Sequence, residues 1–213
     1  RDRGGRTFAA WSLVVALVGP AWCAAPTDTA GAPLRRSPVD LAGRPVLGVD
    51  SAPIVVVEIA SFKCTHCRKF HEEIFPRLRA EYINPGKVQW VVLNASDTAA
   101  DEFAPIFGLA RCAQQQGKYW ELLDTFFAVA RRPPSVVKDL VAKSPLLNRE
   151  ELEICLRDRT LRNAVAADFL SYAELQVRGT PTFVIWKIGR DGRRTEATIA
   201  GAQTLDYYRR ALD

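Results

Sequence analysis

Residues 55–75 read VVVEIASFKCTHCRKFHEEIF, and this stretch decides the fold. Its first half is a β-branched, apolar run interrupted only by Glu58, as expected for a central strand that is buried on both faces. Beyond the two cysteines, apolar residues recur at every fourth position, which predicts a helix: Phe70, Ile74, Leu78 and Tyr82. Cys64 and Cys67 therefore lie where a buried strand passes into the N-terminus of a helix.

The position of the two cysteines has a chemical consequence. The first turn of a helix leaves backbone N–H groups unpaired and carries a partial positive charge. A thiolate is stabilised there, so the pKa of Cys64 is expected to be lowered. His66, between the cysteines, adds a second donor or a cation. Because both effects favour the reduced thiolate, the Cys64–Cys67 disulfide is expected to be a strong oxidant.

The other elements follow from the same kinds of pattern. Strands are predicted over residues 46–49, 54–60, 88–93, 182–188 and 194–200, and a closing helix over residues 204–212. Asp191-Gly192 is a hairpin signal between the last two strands. The segment over residues 96–175, between the strands at 88–93 and 182–188, has helical spacing throughout, and Pro76 is expected to kink the helix that follows the cysteines.

The first 25 residues have the composition of a secretory signal peptide. Three arginines precede an apolar run over residues 8–18, and small residues follow at positions 23–25. The run is about half of the ~20 residues that a membrane-spanning helix needs, so we expect cleavage within 23–25 rather than a retained anchor. Residues 26–45, rich in Pro, Ala, Gly and Thr, are expected to form a flexible lead-in.

Composition and charge exclude some classes of function. The chain has 213 residues, of which 48% are hydrophobic, so it is long enough for one well-packed domain. Its formal net charge is only +5, and no basic run is present, so a nucleic-acid partner is not expected.

A metal or haem site is the main alternative for the two cysteines. A structural zinc ion needs four ligands, and the sequence has no second Cys-x-x-Cys and only two histidines, His66 and His71. Covalent haem attachment would need a histidine directly after Cys67, where Arg68 stands. We therefore expect no metal and no other cofactor. His71 is interpreted as a residue of the helix surface without a catalytic role.

An ordered set of features resembles the DsbA-type thiol:disulfide oxidoreductases, which have the thioredoxin fold. The set comprises the Cys-x-His-Cys motif, an acid six residues before it at Glu58, a long helical segment and a late Thr180-Pro181 pair. The resemblance implies an α/β fold, a thioredoxin-like sandwich with a central mixed β-sheet and a helical insertion. The two halves of the sandwich are expected at residues 46–95 and 177–213. The insertion between them is expected at residues 96–176.

The resemblance also implies the roles of the reactive residues. Cys64 would be the exposed attacking sulfur, and Cys67 would resolve the mixed disulfide. A carboxylate inside a buried strand is costly unless it has a partner or a task. Glu58 is expected to accept the proton of Cys67 through water, and the alternative is a buried acid with a purely structural role.

Substrate contacts are expected around the late proline. The resemblance implies a cis Thr180-Pro181 bond packed against the two cysteines, where the Thr180 backbone can pair with an extended peptide like an added strand. Thr65, inside the motif, is expected to contact the substrate as well.

Two further cysteines, Cys112 and Cys155, lie on apolar helix faces. Without the signal peptide the chain keeps four cysteines, and an even number in an exported protein favours two disulfides. Cys112–Cys155 is expected to be the structural one, and two separate buried thiols are the alternative.

The function that the resemblance implies is oxidation of reduced, unfolded client proteins in an exported, periplasmic or cell-envelope location. Reoxidation would need a membrane redox partner, and a monomer is expected. Two alternatives stay open: a reductase or isomerase on the same scaffold, because Thr180 before the proline is commoner in isomerases, and a binding or holdase module with structural cysteines.

Overall fold

A computed structural model of the chain describes residues 42–95, 104–175, 177–189 and 191–213. The expected signal peptide and most of the lead-in lie outside the described residues. Among the described residues, no helix is both long enough and apolar enough to cross a membrane.

Five strands form one mixed sheet, in the order β1-β3-β2-β4-β5. Their bounds are Val46–Leu47 (β1), Ile54–Ala60 (β2), Val88–Asn94 (β3), Thr182–Ile188 (β4) and Arg194–Ala200 (β5). The central strands β2 and β3 are parallel, and the other neighbouring pairs are antiparallel. The predicted strands are confirmed to within one residue, except that the edge strand β1 has only two residues.

Helices cover the sheet and fill the long segment between β3 and β4. Their bounds are Thr65–Glu73 (α1), Phe75–Leu78 (α2), Ala104–Gln115 (α3), Leu123–Phe127 (α4), Pro134–Ala142 (α5), Arg149–Arg157 (α6), Arg159–Glu174 (α7) and Leu205–Leu212 (α8). A π-helical turn at Arg79–Ile83 follows α2, and a 3₁₀ turn at Ala128–Ala130 follows α4. The described part of the chain is therefore α/β, and the predicted fold class is confirmed.

The helix after the cysteines breaks close to Pro76. Helix α1 ends at Glu73, Ile74 caps it, and Pro76 lies in the first turn of α2. A proline is tolerated in a first turn because the N–H that it lacks would have no intrahelical partner there. The expected kink is thus a break between two helices, one turn after Phe70.

The central strands β2 and β3 are buried on both faces, as the apolar composition of β2 predicts. Val55, Val57 and Ile59 pack on one face, and the alternate residues Val56 and Ala60 pack on the other, beneath α1 and the insertion. Because side chains alternate along a strand, Glu58 lies on the same face as Val56 and Ala60. The chain thus places a carboxylate on the sheet face that carries the cysteines.

A buried ion cluster holds the start of the described chain against the insertion. Asp168 on α7 forms an ion pair with Arg44 at 2.7 Å and accepts a hydrogen bond from Arg111 on α3 at 2.8 Å, and all three side chains are less than a tenth exposed. Burial raises the pKa of Asp168 to about 6 even though both arginines lower it.

Candidate active site

Cys64 caps the N-terminus of α1. Its backbone is extended, with φ −78° and ψ 115°, and its sulfur accepts a hydrogen bond from the Cys67 N–H at 3.4 Å. Its own N–H donates to the Ser61 carbonyl at 3.0 Å, which closes the turn between β2 and α1. Cys64 is half-buried, whereas Cys67, one turn inward, is fully buried. The strand-to-helix transition therefore presents one sulfur and hides the other.

These surroundings lower the pKa of Cys64 from 9.0 to about 5. The largest cause is the Cys67 thiol, which donates to the Cys64 sulfur; the Thr180 side chain and the backbone N–H groups of Cys67 and His66 add to it, and burial acts against it. As a neutral thiol, Cys64 can donate to the Thr180 carbonyl at 3.3 Å. That bond is given up on ionisation, while the N–H donors at the helix end remain.

The surroundings of Cys67 shift its pKa in the opposite direction from that of Cys64. Its pKa is raised because its proton is held by the Cys64 sulfur, because it is buried, and because the charge of Glu58 opposes a second negative charge nearby. Near neutral pH the outer sulfur is thus a thiolate and the inner one a thiol.

The two residues between the cysteines, Thr65 and His66, are exposed. His66 lowers the pKa of Cys64 through its backbone N–H, and its side chain is not among the causes of that shift. The role expected for the His66 side chain therefore stays a prediction. The contact of Thr65 with a substrate also stays a prediction, which is supported by the exposure of Thr65 directly beside Cys64.

The Thr180-Pro181 loop lies beside Cys64. The peptide bond between the two residues is cis, and the Thr182 hydroxyl donates to the Gly179 carbonyl at 2.7 Å across the loop. Pro181 is buried and Thr180 is partly exposed. The fold thus places the Thr180-Pro181 pair beside the cysteines, although it follows them by more than a hundred residues in the sequence.

Glu58 is fully buried beneath α1 and both of its oxygens are hydrogen-bonded. The Trp90 indole N–H donates to Oε2 at 2.9 Å, and His71 Nε2 lies 2.8 Å from Oε1. The interpretation of His71 as a surface residue was therefore wrong: its side chain is only 2% exposed. His71 follows Cys67 by four positions, which places the two on one face of α1. That spacing was the signal that could have found it.

Cys112 and Cys155 are joined in a disulfide that links α3 to α6, with a sulfur–sulfur distance of 2.06 Å. The described residues contain no group of three or more His, Cys, Asp or Glu side chains that could hold a metal ion.

We expect the low pKa of Cys64 to be visible in a pH titration of the reduced protein. The rate of alkylation of Cys64 should rise with pH to a plateau, with a midpoint at about 5, while Cys67 stays unmodified. Peptide mapping after a short pulse of iodoacetamide measures both residues. A midpoint near the ordinary value of 9.0 would contradict the geometry at the helix end.

The same shift affects the stability of the reduced form. Because the folded-state pKa lies below the ordinary value, ionisation of Cys64 stabilises the folded, reduced protein fully above pH 9.0, and this contribution disappears as the pH falls through about 5. On acidification, the melting temperature of the reduced protein should thus fall more than that of the oxidised protein, in which Cys64 does not titrate.

Comparison with known proteins identifies a matching family and relatives whose names concern disulfide bond formation. Residues 41–212 match the family model described as Thioredoxin. A protein of Bacillus cereus named "Probable disulfide bond formation protein D" is 29% identical over 147 residues, which cover 65% of this chain and 68% of the relative. Disulfide bond formation protein D of Bacillus subtilis is 25% identical over 152 residues, which cover 67% of this chain and 68% of the relative.

Solved structures show the same fold. The crystal structure of alpha-DsbA1 from Wolbachia pipientis superposes with a TM-score of 0.69 at 22% identity, over 84% of this chain and 94% of that one. A family match that spans most of the chain, a thioredoxin fold shared with DsbA structures, and a Cys-x-His-Cys at the first turn of a helix all agree. The chain belongs to the DsbA-type thiol:disulfide oxidoreductases of the thioredoxin family.

Proposed function

We propose that this chain introduces disulfide bonds into exported client proteins, with the Cys64–Cys67 disulfide as the oxidant. The observation that carries the proposal is the position of Cys64 at the N-terminus of α1, where its sulfur accepts from the Cys67 N–H and its pKa is lowered to about 5. A disulfide is a strong oxidant when its reduced form is stabilised, and a stabilised thiolate has that effect. The names of the relatives, which concern disulfide bond formation, support the same direction.

The reaction balances as two sulfur exchanges. A client thiolate attacks Cys64 Sγ, the Cys64–Cys67 bond breaks, and the Cys67 sulfur leaves with the electron pair and takes a proton. A second client thiolate then attacks the client sulfur of the mixed disulfide, and Cys64 leaves as a thiolate. The client loses two electrons and gains a disulfide, while the Cys64–Cys67 pair is reduced to a thiolate and a thiol.

Each residue of the site has a defined part in this scheme. The half-buried Cys64 is the sulfur that a client can reach, and its low pKa makes it the better leaving group in the second exchange. Glu58 supplies the proton that Cys67 takes up in the first exchange, and it accepts that proton again when Cys67 attacks. The Thr180 backbone and the exposed Thr65 contact the client peptide, in the manner of an added strand at Thr180.

The location and the partners follow from the same scheme. An oxidant of thiols works in an oxidising compartment, so we propose that the chain acts outside the cytosol, in the periplasm or cell envelope, as a monomer. Each turnover leaves the pair reduced, and a membrane redox partner would restore the disulfide.

A reductase or isomerase is the second candidate, and Thr180 is the observation that favours it. The reduction potential of the Cys64–Cys67 pair decides between the two. For an oxidase we expect roughly −180 to −120 mV, the range from protein disulfide isomerase to DsbA. Equilibration with reduced and oxidised glutathione, with mass spectrometry as readout, measures it. A value near that of thioredoxin, about −270 mV, would reverse the proposed direction.

A further inference from the structure

The disulfide between Cys112 and Cys155 belongs to the wall of a cleft of about 320 Å³ between α3 and α6. The rest of the wall is formed by Gln115, Gln116, Glu151, Ile154 and Asp158. Cys112 is fully buried and Cys155 is 7% exposed, so an incoming thiol meets the bond from the side of Cys155. We call this space the disulfide cleft.

One side of the disulfide cleft is fixed by hydrogen bonds between the end of α3 and the start of α6. The Gln116 side chain donates to the Asn148 carbonyl at 3.1 Å and accepts from the Asn148 N–H at 2.8 Å. Asn148 in turn caps α6, since its side chain accepts from the Glu151 N–H at 3.2 Å. Gln116 and Glu151, both in the cleft wall, are thus held to one another through Asn148.

The electric charge of the cleft wall is negative. Glu151 and Asp158 are exposed, and exposed carboxylates are ionised at neutral pH. The Thr160 N–H donates to Asp158 Oδ1 at 2.8 Å and lowers the pKa of that carboxyl group. Within the described part of the chain, no lysine, arginine or histidine lines the cleft, and Arg157 of α6 is paired with Glu153 at 3.0 Å. An anion that enters the cleft therefore meets two like charges.

The polarity of the helices acts in the same direction as these carboxylates. Cys112 and Cys155 each lie in the last turn of a helix, where backbone carbonyls leave a partial negative charge. Cys64, by contrast, caps a helix N-terminus. A thiolate is stabilised at an N-terminal end and destabilised at a C-terminal end, and a destabilised thiolate leaves slowly in thiol exchange. The chain thus places its two cysteine pairs at helix ends of opposite polarity.

We propose that thiols reach the Cys112–Cys155 bond through the disulfide cleft, and that the cleft admits neutral or cationic thiols and repels anionic ones. The inference concerns the second disulfide, so it does not depend on the direction in which the Cys64–Cys67 pair works. An anionic thiol that meets the protein is directed to the Cys64–Cys67 pair, because the other disulfide is screened from it by charge.

The exchange that the cleft controls balances in two steps. An incoming thiolate attacks Cys155 Sγ, the Cys112–Cys155 bond breaks, and Cys112 Sγ leaves with the electron pair and takes a proton from water. A second thiolate of the same kind attacks the reagent sulfur of the mixed disulfide, and Cys155 leaves as a thiolate. The reagent loses two electrons and departs as its own disulfide, while the two cysteines are reduced.

The test compares small thiols of similar size whose thiolate forms differ in charge. Cysteamine is zwitterionic, 2-mercaptoethanol is singly anionic and 2-mercaptoethanesulfonate is doubly anionic. Each reduces the oxidised protein at low ionic strength and equal thiolate concentration, and alkylation with peptide mass mapping follows Cys112 and Cys155. Each rate is divided by that of the same reagent with hydroxyethyl disulfide. We expect the normalised rate to fall by about fivefold for each added negative charge, and high salt to compress this order.

The double variant Glu151→Gln, Asp158→Asn removes both charges from the cleft wall and keeps the size of both side chains. We expect its rate with the doubly anionic thiol to rise by about tenfold, while its rate with cysteamine changes by less than about twofold. The matched control is Glu150→Gln, Asp139→Asn, which changes the net charge equally at exposed positions outside the cleft wall. This control should keep the wild-type order.

Equal normalised rates with all of these thiols in the wild type would overturn the inference, since reduction through unfolding of the chain would give that result. It is overturned as well if the cleft variant keeps the wild-type order. Should the cleft variant fail to fold, the salt dependence of the wild type decides alone, because an order that high salt leaves unchanged is not electrostatic. The reduction potential of the Cys64–Cys67 pair, which tests the proposed function, is a separate measurement.

Discussion

Cys67→Ser is expected to convert the protein into a covalent trap for its clients. A client thiolate still forms a disulfide with Cys64, which is half-buried and reachable, but the buried sulfur that resolves the adduct is gone. Non-reducing electrophoresis of cells that express the variant should show a ladder of adducts that disappears on reduction. The effect is close to all-or-none, because the intramolecular attack that it removes has an effective concentration far above that of any free thiol.

Cys64→Ser is the matched control, since it removes the other sulfur by the same change of one atom. We expect no adducts from it, because Cys67 is fully buried and its raised pKa keeps it in the unreactive thiol form. Equal trapping by the two variants would reverse the roles proposed for the cysteines.

The double variant Cys112→Ala, Cys155→Ala should lose a large part of the stability of the fold. The two cysteines are 43 positions apart, and closing a loop of that size is worth about 4 kcal/mol on the chain-entropy estimate. The free energy of unfolding of a typical domain is ~5–15 kcal/mol in total. For a chain of this length the melting temperature should therefore fall by roughly 8–16 °C, as measured by calorimetry with Cys64 and Cys67 in the same redox state in both proteins.

The two disulfides of the oxidised protein should also differ in lability. Cys112 is fully buried and Cys155 is 7% exposed, whereas Cys64 is half-buried at a helix end. Mild dithiothreitol should free Cys64 and Cys67 first. Mass mapping that found either of them bonded to Cys112 or Cys155 would refute the pairing.

The sequence predicted the sheet well because its signals there are local. The apolar run of β2 and the Asp191-Gly192 turn each act within a few residues, and the observed strands begin and end where these signals do. The same holds for Thr204, whose side chain accepts from the Tyr207 N–H and caps α8. Cys64 and Cys67 could be placed for the same reason.

Long-range partners of polar side chains could not be predicted. Glu58 was recognised as a costly buried acid, but its partners Trp90 and His71 come from different elements, and hydrophobic periodicity carries no information about which donor reaches which acceptor. His71 was assigned to the surface although its four-residue spacing from Cys67 places it on the buried face of α1; that spacing does not, however, identify Glu58 as its partner. The Asp168 cluster joins residues more than a hundred positions apart and leaves no local pattern.

Because Trp90 is hydrogen-bonded to Glu58, tryptophan fluorescence should report on the active site. The indole is fully buried and donates to the carboxyl group that we propose to change charge during each exchange. Trp120 donates instead to the Val46 carbonyl, and Trp186 donates to Glu196 on the outer strand β5. Emission from Trp90 should therefore follow turnover without an added label, and the protein carries its own fluorescent reporter of the redox cycle.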